Sequence, residues 1–314
     1  MGEVIHELTI GDPVNLLWVG IGTMLGILVG AIPGLTGAML IALSLPLTYA
    51  MQPSEAMVLL VSMYVGSISG GLITATLLRM PGTPASVITT LDGYPMARDG
   101  NPGRALGLGI MASFVGGLIS WGFLILLAEP ISHISTELGD FDYFALVLVA
   151  LVLIASVSGK SLAAGVFSGF LGILVTIPGE SPATGDTRWT WGVEQLNNGF
   201  DLLPVLIGLF AVSQVIHEVA SREKKVEKIS QVAPEGILLG AADWLRHMIN
   251  MIRSSVIGTW VGILPGIGAN VGSVMAYSAA KSLSKQPEAF GTGSEEGVVA
   301  SEAANNATIG GALI

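Results

Sequence analysis

Long apolar stretches recur along this chain, over residues 14–33, 56–78, 105–128, 143–158, 161–178 and 202–220. A helix needs roughly 20 predominantly apolar residues to cross the hydrocarbon core of a bilayer, so the pattern predicts an all-α polytopic integral membrane protein. Two further apolar runs, 35–49 and 254–280, are less regular. The first is short for a full span, and the second is cut by Leu264-Pro265-Gly266. Together they bring the expectation to about seven to nine hydrophobic segments. Composition agrees, since only 11% of the 314 residues are charged where soluble domains average roughly 25%. The 42 glycines follow no Gly-X-Y period and fit close helix packing in lipid.

A net charge of −10 without a dense basic stripe leaves no footprint for nucleic acid. The lack of cysteine removes disulfides, thiolate metal sites and thiol nucleophiles. The N-terminal stretch carries Glu3, Glu7 and Asp12 but no basic residue. It therefore lacks the n-region of a secretory signal, and the first apolar segment is expected to be retained.

Basic residues set the expected orientation. Arg79, Arg98 and Arg104 in loop 79–104, and Arg222, Lys224, Lys225, Lys228, Arg246 and Arg253 in 221–253, mark these as cytoplasmic. The acidic loops 129–142 and 179–201 read as external, as does the N-terminus. Three regions follow: a first membrane repeat with additional helices over 1–220, a cytoplasmic linker over 221–253, and an incomplete second repeat over 254–314.

The repeat is visible in the residues. Gly26-Ile27-Leu28-Val29-Gly30-Ala31-Ile32-Pro33-Gly34-Leu35 returns as Gly258-Thr259-Trp260-Val261-Gly262-Ile263-Leu264-Pro265-Gly266-Ile267. Ser67-Ile68-Ser69-Gly70-Gly71-Leu72 is echoed by Ala307-Thr308-Ile309-Gly310-Gly311-Ala312, in the same order and at nearly the same offset. An odd number of predicted crossings separates the copies, so the second is expected to enter from the opposite face. Inverted repeats with broken or re-entrant helices are a recurrent architecture of secondary transporters.

Proline removes a backbone donor and glycine frees the backbone, so the Pro33-Gly34 and Pro265-Gly266 pairs are expected to break helices at membrane depth. Half-helix N-termini favour anions and freed carbonyls favour cations. The small or polar residues after the breaks, Thr36 and Gly37 in one copy and Gly268, Ala269 and Asn270 in the other, let a ligand approach backbone; a packed proline kink is the competing reading. Gly22, Gly26, Gly30 and Gly34 form one stripe, read as a close-packed or a sliding seam. Met80-Pro81-Gly82-Thr83-Pro84-Ala85-Ser86 reads either as a ligand-contacting break or as a surface turn. Asn305 and Asn306 need internal partners or a ligand. The histidines, His6, His133, His217 and His247, fall among predicted ends and loops and receive no role. No nucleophile elbow, phosphate loop or metalloprotease helix is present, so no enzyme chemistry is assigned.

The Pro-Gly breaks, the Ser69-Gly70-Gly71 and Pro81-to-Ser86 segments, Leu91-Asp92-Gly93-Tyr94-Pro95-Met96-Ala97-Arg98 and Glu302-Ala303-Ala304-Asn305-Asn306 resemble the large, TctA-type membrane subunit of tripartite tricarboxylate transporters. The resemblance implies a multi-pass bacterial inner-membrane importer of a tricarboxylate or related carboxylate. It would work with a small membrane subunit and a periplasmic solute-binding protein. It needs no cofactor beyond a coupling sodium ion or proton, and no metal beyond that sodium; a passive pore and an intramembrane enzyme are the alternatives. Substrate and cation are expected near Pro33, Gly34, Thr36, Gly37, Ser69, Gly70, Thr83, Ser86, Pro265, Gly266, Gly268, Asn270, Asn305 and Asn306. Family members continue beyond Ile314 and the second copy lacks a counterpart of the Pro81-to-Ser86 break, so the chain is expected to be a fragment or a C-terminally truncated protein that does not transport by itself.

Overall fold

The computed structural model describes residues 13–32, 35–137, 162–181, 184–200, 236–264 and 268–314, with isolated positions between 139 and 216. The windows 143–158 and 202–220, most of the linker, and Pro33, Gly34, Pro265 and Gly266 lie largely or wholly outside these residues. Nine α-helices occur among the described residues: α1 (Pro13–Gly30), α2 (Gly37–Thr48), α3 (Pro53–Leu78), α4 (Thr89–Arg98), α5 (Pro102–Glu137), α6 (Leu162–Thr176), α7 (Ala241–Ile263), α8 (Gly268–Leu283) and α9 (Glu295–Leu313). Three stretches, Pro13–Gly30, Pro53–Leu78 and Pro102–His133, are long and apolar enough to cross a membrane.

Local chemistry sets several boundaries. Thr36 caps α2 by accepting the Met39 N–H at 3.2 Å, which satisfies one of the orphan donors of a helix start. Pro53 opens α3, where its missing N–H costs nothing. At the other end Arg79 adopts the left-handed conformation with φ 56° and donates its N–H to the Thr74 carbonyl, closing the helix. Asp243 accepts the Gly240 N–H at 3.1 Å at the start of α7, and Ser294 accepts the Gly297 N–H at 3.2 Å at the start of α9.

The chain divides into two compact units: Met1–His133 with Arg222–Leu264 and Gly268–Ile314, and Ile134–Ser221 with Pro265–Ile267. Within the described part of the second unit lie α6 and a short antiparallel pairing of Gly179 with Arg188 and Glu180 with Thr187.

In the first unit, two helix triplets have the same internal construction. A Cβ added to Gly22, Gly26 or Gly30 of α1 would fall 2.7, 2.3 or 2.0 Å from the carbonyl oxygens of Leu59, Met63 and Ser67 on α3. Both series ascend together, so α1 and α3 run parallel. Gly258 and Gly262 of α7 likewise meet the Ala304 and Thr308 carbonyls of α9 at 2.3 and 2.5 Å. The glycine stripe is thus a close-packed seam, and any larger residue would push the helices apart. Gly37 at the start of α2 abuts Ser67, whereas α3 continues to Leu78, roughly 16 Å further at 1.5 Å per residue. In the other triplet α8 runs against α9: Gly272 meets Thr308, Ser273 bonds Ser301, and Tyr277 lies beside Gly297.

The unit is apolar outside and polar within. Leu16, Leu17, Met24 and Leu28 of α1 and Phe114, Trp121 and Leu126 of α5 are exposed, while Glu302 and Asn305 are completely buried. That distribution suits lipid rather than water, and the protein is a membrane protein. Its apolar core joins Met96, Leu108, Met111, Met251, Val298 and Val299.

Three expectations change. The Pro81-to-Ser86 segment is not a surface turn, because Gly82, Thr83, Ala85 and Ser86 are buried. Residues 241–253, assigned to the linker, form the first half of α7. His247 lies inside that helix, not in a loop, and is 2% exposed. An amphipathic helix start rich in charge looks like a linker until the surface that covers it is known.

Candidate functional site

The site is organised on about two turns of α3, from Ser67 to Thr74. Gly37 packs on Ser67. Ser69 donates to Asn306 Oδ1 of α9 at 2.9 Å. Gly71 lies under the Thr83 and Ser86 hydroxyls, which are 2.7 Å apart, and Gly82 abuts the Gly30 carbonyl and Thr74 Oγ1. Glycine at 71 and 82 leaves room for this segment to lie flat against α3; a side chain at either position would expel it. Gly70 faces the Ile27 carbonyl of α1, where it allows the two backbones to approach closely.

Around Asn306 the second triplet contributes a buried carboxyl. Glu302 accepts the Thr89 hydroxyl of α4 on Oε1 at 2.5 Å and the Ser113 hydroxyl of α5 on Oε2 at 3.4 Å. Asn306 Nδ2 donates to Ser113 Oγ at 2.7 Å and to the Glu302 carbonyl at 3.3 Å. Asn305 lies within electrostatic reach of Glu302, yet neither its Nδ2 nor its Oδ1 makes a hydrogen bond of acceptable geometry. Thr74 and Thr76 are also buried with unpaired hydroxyls. Buried polar atoms are usually satisfied, so unpaired ones on adjoining helices mark a place built for something else.

A second carboxylate holds this arrangement together. Asp92 Oδ1 accepts the backbone N–H groups of Gly291, Gly293 and Ser294 at 2.8, 3.0 and 2.8 Å, and Oδ2 accepts the Tyr277 hydroxyl at 2.8 Å. Asp92 thereby fastens α4 to the first residues leading into α9. At the same end Arg104 pairs with Asp243 at 2.9 Å and with Glu295, which also meets His247 Nε2 at 3.2 Å. Arg104, then the Gly240 N–H, holds the Asp243 carboxyl below its usual range.

Beside the cluster lies an apolar groove of about 750 Å³, bounded by Ile27, Val61, Phe114, Trp121 and Leu313, with Ser69, Ser113 and Asn306 at its floor. Among the described residues its walls carry no positive charge, so they offer a polyanion no counter-charge.

The structure brings Thr36, Gly37, Ser69, Thr83, Ser86, Asn305 and Asn306 onto or beside one stretch of α3 and its α9 neighbour. Gly268 is exposed with φ 63°, and Asn270 at the start of α8 is half-buried; no described hydrogen bond ties either to the cluster. Pro33, Gly34, Pro265 and Gly266 lie outside the described residues. Glu302, Thr89 and Ser113 were not singled out from sequence. A lone glutamate between apolar and small residues was the available signal.

A family model described as the tripartite tricarboxylate transporter TctA family matches residues 16–314. The chain belongs to that family. This TctA-family chain is 33% identical over 312 residues to an uncharacterised 52.8 kDa protein in the TAR-I ttuC' 3' region of Agrobacterium vitis. The match covers 98% of the chain and 62% of that relative. A second Agrobacterium vitis protein, in the TAR-II ttuC' 3' region, is 50% identical over 50 residues, 16% of the chain and 21% of the relative. No solved structure matches the TctA-family chain.

Proposed function

We propose that the chain forms part of the large membrane subunit of a binding-protein-dependent secondary transporter. In this reading it imports a tricarboxylate or related carboxylate across the bacterial inner membrane, driven by a sodium or proton gradient. A small membrane subunit and a periplasmic solute-binding protein complete the system. The observation that carries the reading is the buried polar cluster at the meeting of two like-built triplets, inside a unit whose outer faces are apolar.

Alternating access between inverted, re-entrant triplets has geometric support. α1 and α3 run together, as do α7 and α9. Leu72 of α3 meets Gly109 while the earlier Ser69 meets the later Asn306; α5 runs along α9, with Arg104 at Glu295 and Gly116 at Ala303. These contacts set the first triplet against the direction of the second. The turn after α1 at the level of Ser67, well short of the end of α3, favours a re-entrant hairpin over two full crossings. The Arg104–Asp243–Glu295 contacts gather segments of cytoplasmic character at one end.

Uptake of labelled carboxylates into vesicles holding the full-length protein and its partners, with and without an imposed sodium or proton gradient, tests the reading. Accumulation that depends on a gradient and on the binding protein is expected. Flux that only equilibrates the substrate would instead indicate a pore. Asn305→Leu is expected to abolish uptake with insertion intact; normal uptake by this variant would remove Asn305 from the site.

A further inference from the structure

We infer that Glu302 is where the driving cation binds, a single monovalent charge neutralised by this carboxylate. This rests on the transport reading above and goes beyond it by assigning the coupling to one residue. Glu302 is 0% exposed, and no Lys, Arg or His among the described residues forms an ion pair with it. An isolated carboxylate in a low-dielectric interior is too costly to persist. It must carry a proton or hold a cation, and within a membrane such groups mark ion pathways.

The surroundings suit a small hard cation. Around the two carboxylate oxygens stand the Thr89 and Ser113 hydroxyl oxygens and the amide of Asn305, whose Oδ1 has no hydrogen-bond partner. These are oxygen donors of the kind hard cations select. Asn306, by contrast, is engaged on both its amide atoms by Ser69, Ser113 and the Glu302 carbonyl, so it orients the set. A purely structural Glu302 would leave the buried, unpaired Asn305 Oδ1 unexplained. Among the described residues the cluster is acidic and holds no cationic side chain, which suits a cation rather than the carboxylate cargo. A proton and a sodium ion supply the same neutralising charge, and the experiment separates them.

The test compares Glu302→Gln with wild type in vesicles holding the full-length protein and its partners. The glutamine keeps the shape and accepts from Thr89 but cannot take up a charge. For wild type, uptake with a gradient exceeds uptake without one on the order of tenfold; for Glu302→Gln that ratio is expected to fall to about one. A ratio equal to wild type overturns the assignment. If the variant does not insert or transports nothing, wild type decides, through labelling of Glu302 by dicyclohexylcarbodiimide read by mass spectrometry. Slowing by sodium at constant pH identifies sodium, and dependence on pH alone identifies the proton. Labelling that is absent, or unmoved by both, overturns the assignment. Wild type that accumulates nothing under any gradient overturns the transport reading instead, and the labelling result then stands alone for the cation site.

Discussion

Between α1 and α3 the backbones meet at Gly22, Gly26 and Gly30; between α7 and α9 they meet at Gly258, Gly262 and Gly311. Both interfaces are parallel, and in both a shorter helix, α2 or α8, lies between the paired helices in the chain. Their buried side chains differ. At the same distance before the Gly-Gly pair, α9 carries Glu302, Asn305 and Asn306 where α3 carries Ser62, Val65 and Gly66. The two triplets share a packing pattern, and the buried carboxyl and amides belong to the second alone. On the proposed transport reading, like-built helix pairs would form the frame while the second triplet alone holds the ionisable group.

The largest effect is expected where α4 is fastened to the start of the second triplet's α9. Asp92→Ala leaves three backbone N–H groups and the Tyr277 hydroxyl without their acceptor, at about 1–3 kcal/mol for each one that stays buried. Thermal unfolding of the detergent-solubilised full-length protein should show a loss of several such increments, and a loss under about 1 kcal/mol would mean that α4 and α9 are joined elsewhere.

Gly26→Val and Gly258→Val probe the likeness of the seams. Each forces a side chain into a facing carbonyl, with an expected cost of about 2–3 kcal/mol. Matched losses sustain the comparison, and a loss confined to one copy breaks it. Gly20→Ala, with no atom within 4 Å of the added carbon, serves as the control.

A smaller effect sharpens the difference between the copies. Asn306→Leu strands Ser69 and Ser113 and should cost about 1–2 kcal/mol. Val65→Leu, on the exposed face of α3, should stay within about 0.5 kcal/mol. The smallest is Asp243→Asn at the charged end. Because this carboxyl is held below its usual range by Arg104, its contribution is present at neutral pH and fades as pH falls through the carboxylate range. The variant's stability should therefore vary less on the acid side, with added salt narrowing the gap from wild type.

Much of the frame was legible in the sequence. The apolar windows at 14–33, 56–78 and 105–128 correspond to α1, α3 and α5, and the helices stop and restart around the repeated Pro-Gly pairs as local backbone chemistry requires. Asn305 and Asn306 stood out because amides in an apolar run need partners. The rest depends on contacts between segments far apart in the chain. Thr89 and Ser113 are ordinary hydroxyls until the fold places them at Glu302, and Glu302 itself stood only as the first residue of a family-like stretch. His247 appeared to belong to a linker because charges at a helix start resemble a loop, and Asn270 looked equivalent to its neighbours although nothing described binds it to the cluster.

The grip of Asp92 on the backbone at residues 291–294 has a consequence for motion. A rod clamped at its first turn cannot travel along its own axis without releasing the clamp, so α9 is free to pivot but not to slide. On the transport proposal, exposure of Glu302 to an aqueous phase would come from neighbours moving past a carboxyl whose helix Asp92 holds in place. Gly116, packed on the Ala303 backbone, and Gly310, packed on the Ser120 side chain, mark where α5 lies directly against α9.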